Sequence, residues 1–224
     1  RSSAASDVYK RQRLDMKITL KDNVVKEFDS AMSVLDIAKS ISEGLARNAC
    51  AGIVDGEVKD LRYVVDKDAE VSICTFEDEA GKLAFRHTTS HILAQAVKRL
   101  YPDVKLAIGP AIADGFYYDF DKEKAFTPEE LEAIEAEMKK IVKEDLPIER
   151  FELPRAEAIK YMEEREEPYK VELIQDLPED AIISFYKQGD FTDLCAGPHL
   201  MSTKTVKAIK LTSCLLYTSP SPRD

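Results

Sequence analysis

An α+β protein of two units is what this sequence of 224 residues predicts, and three observations predict it. Short alternating apolar stretches, broken by turn residues, fill residues 16–76 around one helical pattern. Beyond residue 77, longer helical patterns are interleaved with strands, the order of a layered α+β unit. Between the two lies FEDEAGKLAFR, a charged stretch with a single Gly. A chain of this size holds one large or two modest domains, each able to bury a core. The reading is two, over 16–76 and 77–213, with 1–15 and 214–224 as foreign or disordered ends. RSSAASDVYKRQRLD has no apolar periodicity and precedes a Met at position 16; CLLYTSPSPRD closes in a Ser/Pro run.

The first unit opens with MKITLKDNVVKEF, where Ile18 and Leu20 alternate with polar residues and Asp22-Asn23 turns the chain back, a hairpin. Ser33 with Asp36 three residues on reads as a helix start, with Val34, Leu35, Ile37, Ala38 and Ile41 inward and Gly44 as the stop. AGIVDGEVKD is a second hairpin, because Asp55-Gly56 suits a type I′ turn. Ala69 to Phe76 is the last strand. The order ββαβββ in so short a span is a β-grasp, ubiquitin-like plan, and nothing in it offers a nucleophile or a base.

In the second unit HTTSHILAQAVKRLYP reads as a helix, with Leu93, Ala96, Val97 and Leu100 in a stripe of period 3.6 and Pro102 at the stop. KLAIGPAIADGFYYDFD is strand, turn and strand. TPEELEAIEAEMKKIVKED begins with Thr127 as cap, Pro128 at the first helical position and Glu130 completing a capping box. Strand IERFEL, helix RAEAIKYMEERE, strand YKVELI and the strand-like FYKQGDFTDLC follow. On that reading Lys170 is a solvated edge-strand lysine.

Composition narrows the function classes. A charged fraction of 33% with 44% apolar residues is ordinary for a soluble globular chain, and no apolar run reaches the ~18 residues of a membrane span; the expected location is cytoplasmic. The four cysteines, 50, 74, 195 and 214, form no CxxC pair, so neither a disulfide framework nor a zinc knuckle is indicated. A net charge of −10 disfavours non-specific nucleic-acid binding, which needs surplus Lys and Arg. An RNA partner would be held by local patches.

The chemistry concentrates in two short stretches. HTTSH puts His87 and His91 four apart, on one face of a helix, as in HExxH metal sites but with Thr88 where a general base would stand. DLCAGPH holds Cys195 and the chain's third and last histidine, His199, around a Gly-Pro pair that argues against helix. His87, His91, Cys195 and His199 are the inventory of a tetrahedral zinc site, and equally of a metal-free hydrolytic centre. The spacing leaves the two open.

The β-grasp unit followed by RHTTSHILAQAVKRLYPDVKLAIGPAIADGFYYDFD, EEPYKVELI and FTDLCAGPHL resembles the amino-terminal region of bacterial threonyl-tRNA synthetases: a TGS domain, then an editing domain bearing HxxxH and CxGPH. The resemblance covers residues 16–213. It implies hydrolysis of the ester in mischarged seryl-tRNA(Thr). His87, His91, Cys195 and His199 would line the site, Lys170 would position or deprotonate the water, and Tyr118 and Asp193 would face the amino acid and the terminal adenosine. Direct attack by water ranks above Cys195 as nucleophile. The editing chemistry is expected to need no metal, although related alanyl editing sites hold zinc with the equivalents of His87, His91, Cys195 and His199. The aminoacylation core, with its ATP and zinc, is absent from this sequence. The fragment is therefore expected to be monomeric and the full-length synthetase a homodimer. Two competing readings are a TGS-type docking module without catalysis and a zinc-stabilised structural domain.

Overall fold

The computed structural model describes residues 14–109, 111–112, 114–207 and 209–212. Apart from Leu14 and Asp15, the ends expected to be foreign lie outside the described residues. Two compact units divide between Lys82 and Leu83. Among the described residues no helix is long and apolar enough to cross a membrane.

The first unit contains β1 (Met16–Thr19), β2 (Val25–Phe28), β3 (Met32–Ser33), α1 (Val34–Ile41), α2 (Glu43–Asn48), β4 (Ala51–Val54), β5 (Glu57–Lys59), β6 (Val64–Val65) and β7 (Ala69–Cys74). Its main sheet has the order β2-β1-β7-β4-β5, with hairpins β1·β2 and β4·β5 flanking a parallel β1·β7 pair. That is a β-grasp arrangement. Asp55 and Gly56 both take positive φ, 48° and 83°, the geometry a type I′ turn requires. The Ser33 side chain accepts from the Asp36 N–H at 3.0 Å, a cap worth ~1 kcal/mol. Met16, Ile18, Val34, Ile37 and Leu61 are at most 1% exposed, and burying side chains of this size contributes roughly 1.5–3 kcal/mol each. Gly52 lets α1 lie close on the sheet: a Cβ there would meet Val34 Cγ1 at 2.5 Å.

Three expectations change. Gly44 does not stop the helix. α1 ends at Ile41 and the Ser42 side chain caps a new helix by accepting from the Leu45 N–H, so Gly44 lies inside α2. The short β3·β6 ladder was not foreseen. The helix bearing the histidine pair, α3 (Glu79–Leu100), begins eight residues before His87, inside the stretch read as a linker. Asp78 accepts from the Thr75 N–H at 2.8 Å just ahead of it.

The second unit continues with β8 (Lys105–Leu106), β9 (Ala111–Ile112), β10 (Gly115–Phe116), β11 (Phe120–Asp121), α4 (Pro128–Glu144), β12 (Ile148–Glu152), α5 (Arg155–Glu164), α6 (Pro168–Asp176), β13 (Ser184–Gln188) and β14 (Phe191–Leu194). β8·β11 and β9·β10 are the two ends of one interrupted hairpin. The capping box at Thr127 and Glu130 and the Pro at the first turn of α4 are present. The stretch read as strand YKVELI is helix α6 instead. Pro168 takes the helix-start position, and Lys170 and Ile174, one turn apart, are both buried.

Strands β12, β13 and β14 form an antiparallel sheet with β13 in the middle, and its two faces divide the labour. Phe185 packs with Ala158, Met162, Ile174 and Ile183 into an apolar core under α5 and α6. Tyr186, the next residue, points to the opposite face by strand alternation. Asp193 is its direct cross-strand partner, so it projects on that same face. Gln188, also on that face, donates to Gln95 of α3 at 2.8 Å.

Candidate active site

Residues 88–97 of α3 are buried, as expected for a helix packed on every side. His87 and His91 stand one turn apart on it, facing the stretch after β14 that carries Cys195 and His199. The Gly197–Pro198 peptide there is cis, and no helix forms between Cys195 and His199. A Cβ on Gly197 (φ 80°) would lie 2.1 Å from the Tyr186 hydroxyl, so the position demands glycine both in conformation and in space.

The histidine and cysteine side chains converge. The His199 ring stacks on His87 with centroids 5.5 Å apart, and packs at a tilt against His91 at 4.3 Å and Tyr186 at 4.1 Å. His199 Nε2 is 3.2 Å from Cys195 Sγ, and the Gly197 N–H donates to the same sulfur at 3.3 Å. His199 is wholly buried and His91 nearly so. His87 and Cys195 are only half-buried and form the accessible rim.

A second group adjoins the first. Asp193, 1% exposed, accepts from Lys170 Nζ at 3.0 Å and the Leu194 N–H at 2.8 Å through Oδ1, and from the Tyr118 hydroxyl at 2.5 Å through Oδ2. His91 Nε2 lies 3.6 Å from Oδ2, beyond hydrogen-bond length. Lys170 is 3% exposed, so it is a buried, paired ammonium and not a solvated lysine. The helix α6 puts it there, where a strand would have alternated it with its neighbours. Tyr118 is buried too, between β10 and β11, with its ring 5.2 Å under the Lys170 ammonium.

Burial sets the protonation states. It pulls the His91 imidazole down to about 4, against the opposing pull of the Asp193 carboxylate, and it lowers His87 despite a hydrogen bond to the Pro198 backbone. Both rings are therefore neutral at pH 7. Burial would raise the Asp193 carboxyl, but the Lys170 ammonium, then His91 and the Tyr118 hydroxyl, outweigh it and hold the group below the usual carboxylate range. Burial, reinforced by that carboxylate, keeps the Tyr118 phenol protonated. The Nδ1 atoms of His87 and His91 are buried with no hydrogen-bond partner among the described residues.

Metal binding has a partial donor set. Ligand atoms of His87, Cys195 and His199 lie within 4.8 Å of one another, and these three could hold an ion such as zinc. His91, the fourth candidate ligand, stands outside that group, with its Nε2 turned towards Asp193.

Sequence reasoning passed over several residues that hold this arrangement. Thr88, wholly buried, donates to the Ala84 carbonyl, accepts from the Leu200 N–H and lies 3.4 Å from His199 Nδ1. Ser90 hydrogen-bonds to the Gly109 carbonyl at 3.1 Å, and a Cβ on Gly109 would come within 2.1 Å of the Tyr118 ring. Glu167 accepts from Lys98 at 2.9 Å and from the Leu106 N–H, anchoring the start of α6. Three consecutive hydroxyl residues in a helix, poor helix formers that favour local hydrogen bonds, were the available signal.

Comparison with known proteins gives two domain matches. Residues 16–75 match the TGS domain, and residues 183–219 match the threonyl and alanyl tRNA synthetase second additional domain; the latter runs past Ser213, where the unit was expected to end. The chain is 67% identical over 198 residues to the threonine–tRNA ligase of Acetivibrio thermocellus, covering 88% of this chain and 31% of that protein. Against the threonine–tRNA ligase of Clostridioides difficile it is 65% identical over 198 residues, with the same coverage. Against that of Clostridium botulinum, strain Eklund 17B, it is 66% identical over 196 residues, covering 88% and 30%. The chain thus spans under a third of the length of these relatives. It joins a TGS domain to the second additional domain of threonyl and alanyl tRNA synthetases and is, over 88% of its length, a homologue of the N-terminal region of bacterial threonine–tRNA ligases.

Proposed function

We propose that the second unit is an editing hydrolase that cleaves the ester joining serine to the 3′ end of tRNA(Thr), within a protein that ligates threonine to that tRNA with ATP. The observation that carries the reading is the pair of neutral imidazoles of half-buried His87 and buried His91, each with a buried Nδ1 lacking a partner among the described residues, beside the Lys170–Asp193 pair. Ester hydrolysis needs a base to take a proton from water and a positive group or donor near the developing oxyanion. A neutral imidazole supplies the first at pH 7. The Lys170 ammonium, held in place by Asp193, supplies the second and positions the water. The half-buried His87 and Cys195 mark the side from which the ester approaches.

The sieve is steric. Choosing threonine over serine by one methyl is worth only ~1–3 kcal/mol, so a synthetic site lets some serine through, and a tight hydrolytic site then admits serine and refuses the extra methyl of threonine. If zinc binds, His87, Cys195 and His199 would hold it, and the ion would supply an activated water. The preferred reading needs no metal.

Deacylation of seryl-tRNA(Thr) and threonyl-tRNA(Thr) by the chain and by His87→Ala, each with and without chelator, tests this. The expected result is serine-selective hydrolysis, slowed ~100-fold or more in His87→Ala and indifferent to chelator. Equal hydrolysis of both esters, or a His87→Ala variant as active as the parent, would overturn the editing assignment. Loss of activity with chelator would replace the metal-free centre by a metal-dependent one.

A further inference from the structure

We infer that Thr88 is a positioning residue that sets the tautomer of His199, holding its hydrogen on Nδ1 and leaving the Nε2 lone pair facing the Cys195 thiol. The inference follows from counting hydrogens around one buried oxygen. A threonine hydroxyl has one hydrogen to donate and two lone pairs to accept with. The Thr88 hydroxyl hydrogen goes to the Ala84 carbonyl, one helical turn back, at 2.9 Å. One lone pair accepts the Leu200 N–H, also at 2.9 Å. What remains for His199 Nδ1, at 3.4 Å, is the second lone pair. Only a protonated Nδ1 makes a favourable contact with that lone pair.

The consequence reaches the reactive edge of the ring. In the neutral form of the ring, which carries one hydrogen, a protonated Nδ1 leaves Nε2 as an acceptor. That atom lies 3.2 Å from Cys195 Sγ, which therefore presents its S–H to the ring while the sulfur accepts the Gly197 N–H at 3.3 Å. Donors and acceptors alternate along these contacts from Ala84 to Gly197. His199 and Thr88 are both wholly buried, so bulk water does not compete for these positions. Within the HTTSH motif, the residue that replaces a general base becomes an orienting group for a histidine more than a hundred residues away, much as second groups fix ring orientation at other histidine centres. Its effect on hydrolysis rests on the editing reading; the tautomer itself does not.

The test uses the full chain labelled with ¹⁵N-histidine, treated with chelator, and long-range ¹H–¹⁵N correlation spectra at pH 7.5, with His199 assigned by His199→Gln. The parent is expected to show a protonated Nδ1 and an unprotonated Nε2 at His199. Thr88→Val, which keeps the shape and removes the hydroxyl, is expected to shift His199 towards the other tautomer and to slow seryl-tRNA(Thr) hydrolysis roughly tenfold or more. Thr88→Ser should restore both. A hydrogen on Nε2 in the parent overturns the inference whether or not Thr88→Val folds, and so does an unchanged tautomer in a folded Thr88→Val. A parent that shows the expected tautomer, with the expected response to Thr88→Val, but hydrolyses nothing would leave the role of Thr88 standing and remove the editing assignment instead.

Discussion

Replacing Lys170 by Met removes the ammonium while keeping an unbranched side chain of similar length. In the parent, Lys170 and Asp193 are 3% and 1% exposed and 3.0 Å apart. Lys170→Met leaves the carboxylate buried with the Tyr118 hydroxyl and the Leu194 N–H as its close donors. Removing one partner of a buried pair costs about 3–5 kcal/mol. For a unit of this size, at roughly 4 °C per kcal/mol, that lowers Tm by roughly 10–20 °C. The deficit also depends on pH. In the parent, Asp193 titrates below its usual range, so its contribution is present above the unfolded value of about 3.9 and disappears only as pH falls through the lower folded value. In Lys170→Met, burial without the ammonium raises the carboxyl above its unfolded value. The neutral form is then favoured, and stability is lost as pH rises through the raised value. The gap between parent and variant is therefore widest near pH 7 and narrows towards pH 4.5. Urea titrations followed by circular dichroism at both pH values, with amide exchange over 184–194 to read the sheet beside Asp193, measure it. A variant within 1 kcal/mol of the parent at pH 7, or a gap of equal size at both values, would refute this account of the pair.

Two further outcomes follow from the same site. Folded His91 takes a proton only near pH 4, whereas the unfolded chain takes it near 6.5, so stability is complete above 6.5 and falls as pH drops from 6.5 towards 4, by on the order of 3 kcal/mol; His91→Gln should flatten that part of the stability profile measured by urea titration. Gly109→Ala puts a methyl 2.1 Å from the Tyr118 ring, an overpacking expected to cost about 1–3 kcal/mol, to displace the Tyr118 hydroxyl from Asp193 and to reduce serine deacylation; unchanged Tm and rate would show that the loop yields freely.

Much of the scaffold was legible because its signals are local. Asp55-Gly56 specifies its turn through backbone conformation, and Ser33, Thr127 and Pro128 mark helix starts through hydrogen bonds to the next few residues. Gly44 misled because Ser42 caps a second helix immediately after the first. EPYKVELI misled for a different reason: Tyr169, Val171 and Leu173 alternate as in a strand, while Pro168 marks a helix start, and the outcome is settled by burying Lys170 and Ile174 on one helical face.

The histidine pair at helical spacing and the CAGPH stretch announced reactive side chains from short-range pattern alone, since residues four apart on a helix share a face whatever surrounds them. Their partners were not readable in that way. That Lys170 is buried and paired with Asp193, that Tyr118 donates to the same carboxylate, and that the Thr88 hydroxyl reaches His199 are contacts across 23 to 111 residues of chain. Such contacts come from packing the β13–β14 face, α3 and α6 together. The resulting loss of solvent, which pulls His91 down to about 4, is a property of the packed environment and of no residue taken singly.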